Sequence, residues 1–183
     1  MRELSLHILD IVQNSISADA TLISIYINED IEGDRLTIKI GDNGRGIPED
    51  KLMHITDPFY TTRKTREVGL GLALFAQAAR RCEGDLQVDS GVGEGTVVTA
   101  FFSYSHIDRP PIGDIKGTLI SLIALNPGID FMYKHIYGGK KFFLDTREIK
   151  RELQGIEINQ NEVLGWLRGY ISEALEDLYG GEG

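Results

Sequence analysis

The residue pattern predicts an α/β two-layer sandwich, with helices on one face of a mixed, mainly antiparallel sheet, and a small C-terminal α+β domain. Three observations predict it. An amphipathic helix opens the chain, two pairs of alternating strands follow with a second helix between them, and a double proline then precedes a helix–hairpin–helix tail. Boundaries are expected at 1–105 and 106–183. The tail reads either as a small unit of its own or as an extension packed on the first.

Each element has its own signal. In residues 3–18, Leu4, His7, Ile8, Ile11, Val12 and Ser15 recur at helical spacing. "TLISIYIN" (21–28) places Ile23, Ile25 and Ile27 on one face, and "RLTIKIG" (35–41) does the same with Leu36, Ile38 and Ile40. The short stretch between them, with Gly33, suits an antiparallel hairpin. A short helix is expected at 49–55 after Pro48. "DPFYTTRKTREV" (57–68) has no period and reads as a long mobile loop, a kind that is usually functional inside a compact domain. "GLGLALFAQAARR" (69–81) reads as a helix, and "GDLQVDS" and "GTVVTAFFSY" as strands joined by "GVGEG".

"DRPP" (108–111) reads as a linker, because consecutive prolines break regular structure. Asp114 is placed to cap a helix running to Leu125. A Gly138–Gly139 turn signals a hairpin. The last helix is expected from Asn159, with Glu162 completing a capping box. Its apolar stripe is Val163, Leu164, Leu167, Tyr170, Ile171, Ala174, Leu175 and Leu178.

Composition narrows the function classes. The 183 residues are 42% hydrophobic and 26% charged, enough to bury a core without staples. The single cysteine, Cys82, excludes an internal disulfide and suits a reducing, cytoplasmic setting. Glu3 and Asp10 interrupt the N-terminal apolar pattern, so no signal peptide is expected. No apolar run approaches the roughly 20 residues of a membrane span. A net charge of −9 argues against broad nucleic-acid binding, which relies on Lys and Arg.

Four features in the first hundred residues carry chemistry. Asp10 and Asn14 share one side of the first helix, where a carboxylate and a carboxamide would orient water or hold hydrated Mg²⁺; a plain polar helix edge is the alternative. Asp42, Gly44 and Gly46 follow a strand. Glycines let a backbone approach a flat ligand, and a strand-end Asp accepts from an exocyclic amine, which favours adenine; the alternative is a capped tight turn. Gly69 and Gly71 open a helix whose N-terminal amides suit phosphate, with Arg63, Lys64 and Arg66 just before it. "GVGEGT" (91–96) offers the Thr96 hydroxyl to a phosphate, or is a simple glycine-rich turn.

In order and spacing these features resemble the ATP-binding domain shared by histidine kinases, gyrase, ninety-kilodalton heat-shock chaperones and mismatch-repair ATPases. "DIVQNSISA" resembles its N-box, "DNGRGI", "VGLGLA" and "GEGT" its three glycine boxes, and "DPFYTTR" its F-box. "PFYTTR" with "GLGLA" points to the histidine kinase branch. The resemblance covers about residues 3–104. It implies that Asn14 ligates Mg²⁺, that Asp42 receives the adenine amine, and that Gly44 and Gly46 let the ring approach beside Ile47. It further implies a lid over 57–68 anchored by Phe59, phosphate contacts from Gly69, Leu70 and Gly71, and charge from Arg63 and Lys64. Asp10 stands where the family often has Glu and is the candidate catalytic residue; the shorter side chain implies weak hydrolysis. Glu67 stands where a further glycine is usual, and Arg63 where Lys is frequent.

The implied cofactors are ATP and Mg²⁺. With the N-box helix starting almost at Met1, the helical dimerisation domain of a sensor kinase is expected to be absent, and none of the four histidines has an acceptor-like context. The expectation is a stand-alone kinase-like module that phosphorylates an unidentified partner protein. An ATP-gated binding module is the alternative, and a clamp ATPase using Lys140 or Lys141 ranks third. Neither nucleic acid nor membrane is expected as a partner, and homodimerisation is left open.

Overall fold

The computed structural model describes residues 3–57 and 70–180. Its elements are α1 (Leu4–Ser17), β1 (Leu22–Asp30), β2 (Arg35–Asp42), α2 (Glu49–Leu52), α3 (Gly71–Arg81), β3 (Asp85–Gly91) and β4 (Gly95–Ser103), then α4 (Ile115–Leu125), β5 (Asp130–Tyr137), β6 (Lys140–Asp145), α5 (Thr146–Glu152) and α6 (Asn161–Tyr179). The strands form one six-stranded mixed sheet in the order β3-β4-β2-β1-β5-β6. Among the described residues only the β1–β5 pair is parallel.

Strict alternation builds the two layers. Ile23, Ile25 and Ile27 of β1, Leu36, Ile38 and Ile40 of β2, and Val98, Ala100 and Phe102 of β4 all face the helices and are buried. Against them pack Leu4, Ile8, Ile11 and Val12 of α1, Leu72, Phe75, Ala76 and Ala79 of α3, Leu119, Leu122 and Ile123 of α4, and Leu167 and Ile171 of α6. The resulting α/β sandwich is the predicted fold class.

The residues after 106 join this architecture directly. β5 lies in register along β1, Leu22 opposite Asp130 through Glu29 opposite Tyr137, and shares one continuous core with the rest. Phe131 and Tyr133 on β5 are buried and complete the apolar face that β1 would otherwise expose at an edge. The "DRPP" segment is not a free linker. The Pro111 and Ile112 carbonyls accept from the Leu4 and Ser5 amides at 2.9 and 2.8 Å, satisfying two of the N–H groups that the first turn of α1 leaves unpaired.

Several features differ from expectation, the helix at Glu49–Leu52 being shorter than the expected 49–55. α6 starts at Asn161 with Gln160 as its extended N-cap and no side-chain cap, so the capping box at Asn159 and Glu162 does not form. Tyr170 leaves the buried stripe and is 40% exposed, while α5 follows β6 at once, its Asp145 cap accepting from the Arg147 amide. By contrast, Asp114 caps α4 as expected, accepting from the Gly117 amide at 2.8 Å.

A polar cluster closes the end of the sheet opposite Asp42. His135, fully buried, places Nε2 2.7 Å from Glu29 Oε1 and Nδ1 2.7 Å from the Tyr133 hydroxyl. The Tyr179 hydroxyl, at the last residue of α6, donates to the same Glu29 oxygen at 2.6 Å. Burial pushes the Glu29 carboxyl up, but hydrogen bonds from His135, Tyr179 and Tyr104 outweigh it and hold it below the usual carboxylate range.

Candidate nucleotide site

β2 ends at Asp42, and the chain then needs a sharp turn beside the C-terminal end of α1. Asn43 makes that turn: its side-chain oxygen accepts from the Thr21 and Leu22 amides at 2.9 and 3.0 Å, and its Nδ2 donates to Thr21 Oγ1. The Arg45 amide donates to the Ala18 carbonyl at 2.9 Å, and the Gly93 amide to the Arg45 carbonyl at 2.8 Å. Ser90 Oγ accepts from the Ile47 amide at 2.8 Å and lies 2.8 Å from both the Gly95 carbonyl and Thr96 Oγ1. The glycine-rich loop is therefore stitched to α1 on one side and to the β3–β4 turn on the other.

These tethers press the glycines against neighbouring backbone. Gly46 has φ +73°, and a Cβ there would overlap the Gly91 carbonyl oxygen. A Cβ on Gly44 would sit 2.7 Å from the Ala18 carbonyl oxygen. Both positions sit where backbone approaches backbone closely. Gly46 still borders the cavity below; Gly44 does not.

Between α1, this loop, α3 and β4 lies a cavity of about 310 Å³. Its walls are mostly apolar, from Ile11, Ala18, Ile47, Pro48, Leu72, Val92 and Val98, with Asn14, Ser15, Asp42, Lys51 and Thr96 as polar groups. That combination of apolar walls and a few convergent polar groups is typical of sites for flat organic ligands. The Asp42 carboxylate is held on both oxygens. Ser15 Oγ donates to Oδ2 at 2.5 Å, and the Gly44 amide donates to Oδ1 at 2.9 Å. Each carboxylate oxygen keeps a further lone pair for an incoming donor.

The structure brings Asn14, Asp42, Gly46, Ile47 and Thr96 together at one cavity. Thr96 stands in register with Asp42 across β2 and β4 and lines the same cavity. Asp10 is one helical turn before Asn14 and lies off the cavity wall. A Cβ on Gly71, the first residue of α3, would meet Asp10 Cβ at 3.2 Å, so this carboxylate sits against the start of that helix. Leu70 just precedes α3 and is 49% exposed. Phe59, Arg63, Lys64, Glu67 and Gly69 lie outside the described residues. Lys140 and Lys141 are at the far end of the sheet, where Lys140 Nζ donates to the Asp177 carbonyl at 3.1 Å. They lie about 20 Å from Asp42 by strand rise, so neither reaches this cavity within one chain.

Sequence reasoning missed several members. Ser15 falls on the apolar stripe of α1, and its hydroxyl alone hinted at a polar task. Lys51 brings a cation to the rim. Arg45 ties its guanidinium to Asp19, 3.1 Å away, and to the Ser17 carbonyl, bracing the end of α1.

Residues 2–106 match the family described as histidine kinase-, DNA gyrase B- and HSP90-like ATPases. The chain belongs to this family. It carries that family's histidine kinase-like ATP-binding domain, and relatives agree with the kinase branch. Sporulation kinase E of Bacillus subtilis is 34% identical over 90 residues, covering 49% of this chain and 12% of that protein. Sensor histidine kinase RcsC of Escherichia coli is 33% identical over 114 residues, covering 59% of this chain and 12% of the relative. The match thus spans about an eighth of each relative's length. In fold, the chain is similar to the N-terminal domain of a DNA repair protein, with a TM-score of 0.53 at 17% identity, over 79% of this chain and 53% of the other. That share exceeds what residues 2–106 supply, so the likeness in fold extends into the tail. Among the described residues no helix is long and apolar enough to cross a membrane, and no group of three or more His, Cys, Asp or Glu is arranged to hold a metal.

Proposed function

We propose that the chain binds Mg·ATP at the Asp42 cavity and passes the γ-phosphate to a partner protein as a stand-alone kinase-like module. One observation carries the nucleotide reading: a carboxylate fixed on both oxygens faces an apolar cavity of about 310 Å³ in a chain of the ATPase family. An adenine amine would donate to Asp42, and the ring would rest between Ile47, Val98 and Leu72. The carboxamide oxygen of Asn14 is a hard donor of the kind Mg²⁺ prefers. Such an ion needs few protein ligands when phosphates supply the rest, which fits the lack of an acidic cluster among the described residues. Bound there, Mg²⁺ would neutralise phosphate charge. Lys51 would add a cation at the rim, and the first amides of α3 would face the phosphates.

Asp10, set against the start of α3, would orient a proton acceptor or a water rather than touch adenine. A module of this kind fits a cytoplasmic setting, given one buried thiol, Cys82. The second reading is an ATP-gated binding module, favoured by the placement of Asp10 off the cavity wall.

Titration calorimetry with ADP and a non-hydrolysable ATP analogue, with and without Mg²⁺, tests the site. Micromolar binding that improves with Mg²⁺ and collapses in Asp42→Asn is expected; absence of wild-type binding overturns it. γ-Labelled ATP then separates the two readings: label on a second protein supports transfer, and stable binding without turnover supports gating.

A further inference from the structure

Resting on the nucleotide reading above, we infer that Ser90 sets the base specificity of the Asp42 cavity by fixing where the Thr96 hydroxyl sends its hydrogen. Strand register places Ser90 opposite Thr96 and Thr96 opposite Asp42, in one row across β3, β4 and β2. Directly opposed residues share a face, with Cβ atoms about 4.5–5.5 Å apart. That face is the one under the helices: Val98, two residues beyond Thr96, is buried, and Asp42 meets Ser15 of α1. Thr96 and Asp42 line the cavity, and Ser90 stands behind Thr96 without lining it.

A hydroxyl has one hydrogen to give and two lone pairs to fill. Ser90 Oγ has three polar neighbours, each at 2.8 Å: the Ile47 amide, the Gly95 carbonyl and the Thr96 hydroxyl. The Ile47 amide donates to Ser90. The Gly95 carbonyl has no hydrogen of its own, so the Ser90 hydrogen lies between those two oxygens. One lone pair of Ser90 is left, and Thr96 fills it by donating. Thr96 has then spent its hydrogen and offers lone pairs alone to anything else it meets.

The same accounting holds at Asp42, where the Ser15 hydroxyl and the Gly44 amide are both spent on the carboxylate. The cavity therefore presents the Asp42 charge and the Thr96 lone pairs side by side, two acceptors in register. They fit a ligand edge that carries two hydrogens, such as the amino group of a 6-aminopurine. One hydrogen goes to Asp42 and the other to Thr96, directly or through one water. A 6-oxo purine of the same shape sets lone pairs against lone pairs and leaves polar groups unpaired, the costly case in hydrogen-bond discrimination. Freed from Ser90, the Thr96 hydroxyl would turn and donate to that oxygen. Ser90 is thus a positioning residue: it acts on the base through Thr96.

Calorimetric titration with ADP and with inosine diphosphate, its 6-oxo counterpart, reads the ratio of the two affinities. The wild type is expected to prefer ADP by about 100-fold or more. Ser90→Ala is expected to lower that ratio about tenfold, and Ser90→Thr, which keeps the hydroxyl, to restore it. In a Thr96→Val background Ser90→Ala should leave the ratio unmoved, the mark of a residue acting through its neighbour. Equal loss of both nucleotides in Ser90→Ala overturns the inference, because Ser90 would then only brace the wall at Ile47. Should Ser90→Ala not fold, Thr96→Val decides: a lowered ratio supports the inference, and a wild-type ratio overturns it. A wild type that binds neither nucleotide removes the nucleotide reading and this inference with it. ADP binding with a ratio indifferent to these variants removes the Ser90 assignment alone.

Discussion

The Ser15 hydroxyl lies 2.5 Å from Asp42 Oδ2, joining the last turn of α1 to the end of β2. This contact and the Gly44 amide at Oδ1 aim the carboxylate into the cavity before any ligand arrives. Pre-set acceptors bind better because little ordering is left to complete on association. Ser15→Ala is therefore expected to weaken ADP by about fivefold, the effect of losing one hydrogen bond of about 1 kcal/mol. Asp42→Asn, which removes the charge itself, should cost about tenfold or more. Calorimetry on the two variants ranks them; equal losses would mean Ser15 does more than orient its neighbour.

Gly46 and Gly93 both have positive φ, +73° and +79°, yet only Gly46 faces another backbone. Gly93→Ala should cost only the left-handed strain, about 1 kcal/mol. Gly46→Ala adds the overlap with the Gly91 carbonyl and should reach about 2–4 kcal/mol by urea denaturation. Similar midpoints for the two would show that the loop moves aside freely.

His7 is 2% exposed, stacks on Phe75 at 5.0 Å between centroids, and leaves its Nδ1 without a partner among the described residues. Burial lowers its pKa to about 4. Between that value and its ordinary 6.5, the unfolded chain binds a proton that the native chain refuses, so stability rises with pH across the window. The loss on going from pH 7 to pH 4 is about 3 kcal/mol from this residue. In His7→Leu that part of the acid sensitivity should vanish from urea titrations at pH 7, 5.5 and 4.

Glu29, His135 and Tyr179 tie the last turn of α6 to the sheet, about 20 Å from Asp42 by strand rise. Tyr179→Phe should destabilise the protein by about 1 kcal/mol while ADP affinity stays unchanged. The folded pKa of Glu29 is depressed, so its stabilisation is present at neutral pH and fades as pH falls through the folded value. A shift in ADP affinity in this variant would reveal coupling between the two ends of the sheet.

A chain ending at residue 106 would expose β1, whose partner β5 is lost together with α4 and α6. It is expected to aggregate or to lose near-ultraviolet circular dichroism. A soluble, folded fragment that binds ADP would instead define 1–105 as an autonomous domain.

The fold class was legible because it rests on local periodicity. The isoleucines of β1 and β2 alternate, and the stripes of α1 and α3 recur at helical spacing, whatever lies opposite them. Asp42, Ile47 and Asn14 were legible for a related reason: the family pattern lies in short contiguous stretches. Where an element's meaning depends on a distant partner, the pattern was silent or misleading. Ser15 read as core because its spacing is that of the core. "DRPP" read as a linker because its carbonyls are useful only once α1 is beside them.

The sequence by itself determined the strands, every helix except α5, the hairpin turns and the order of the ATPase motifs, since these follow from side-chain period and backbone preference within a few residues. Tertiary structure alone decided that β5 runs parallel to β1, that Gly44 and Gly46 serve backbone packing, and that Ser15 and Ser90 hold the site. Each of these is a choice of partner across many residues, made by burial, register and hydrogen-bond satisfaction in the assembled core.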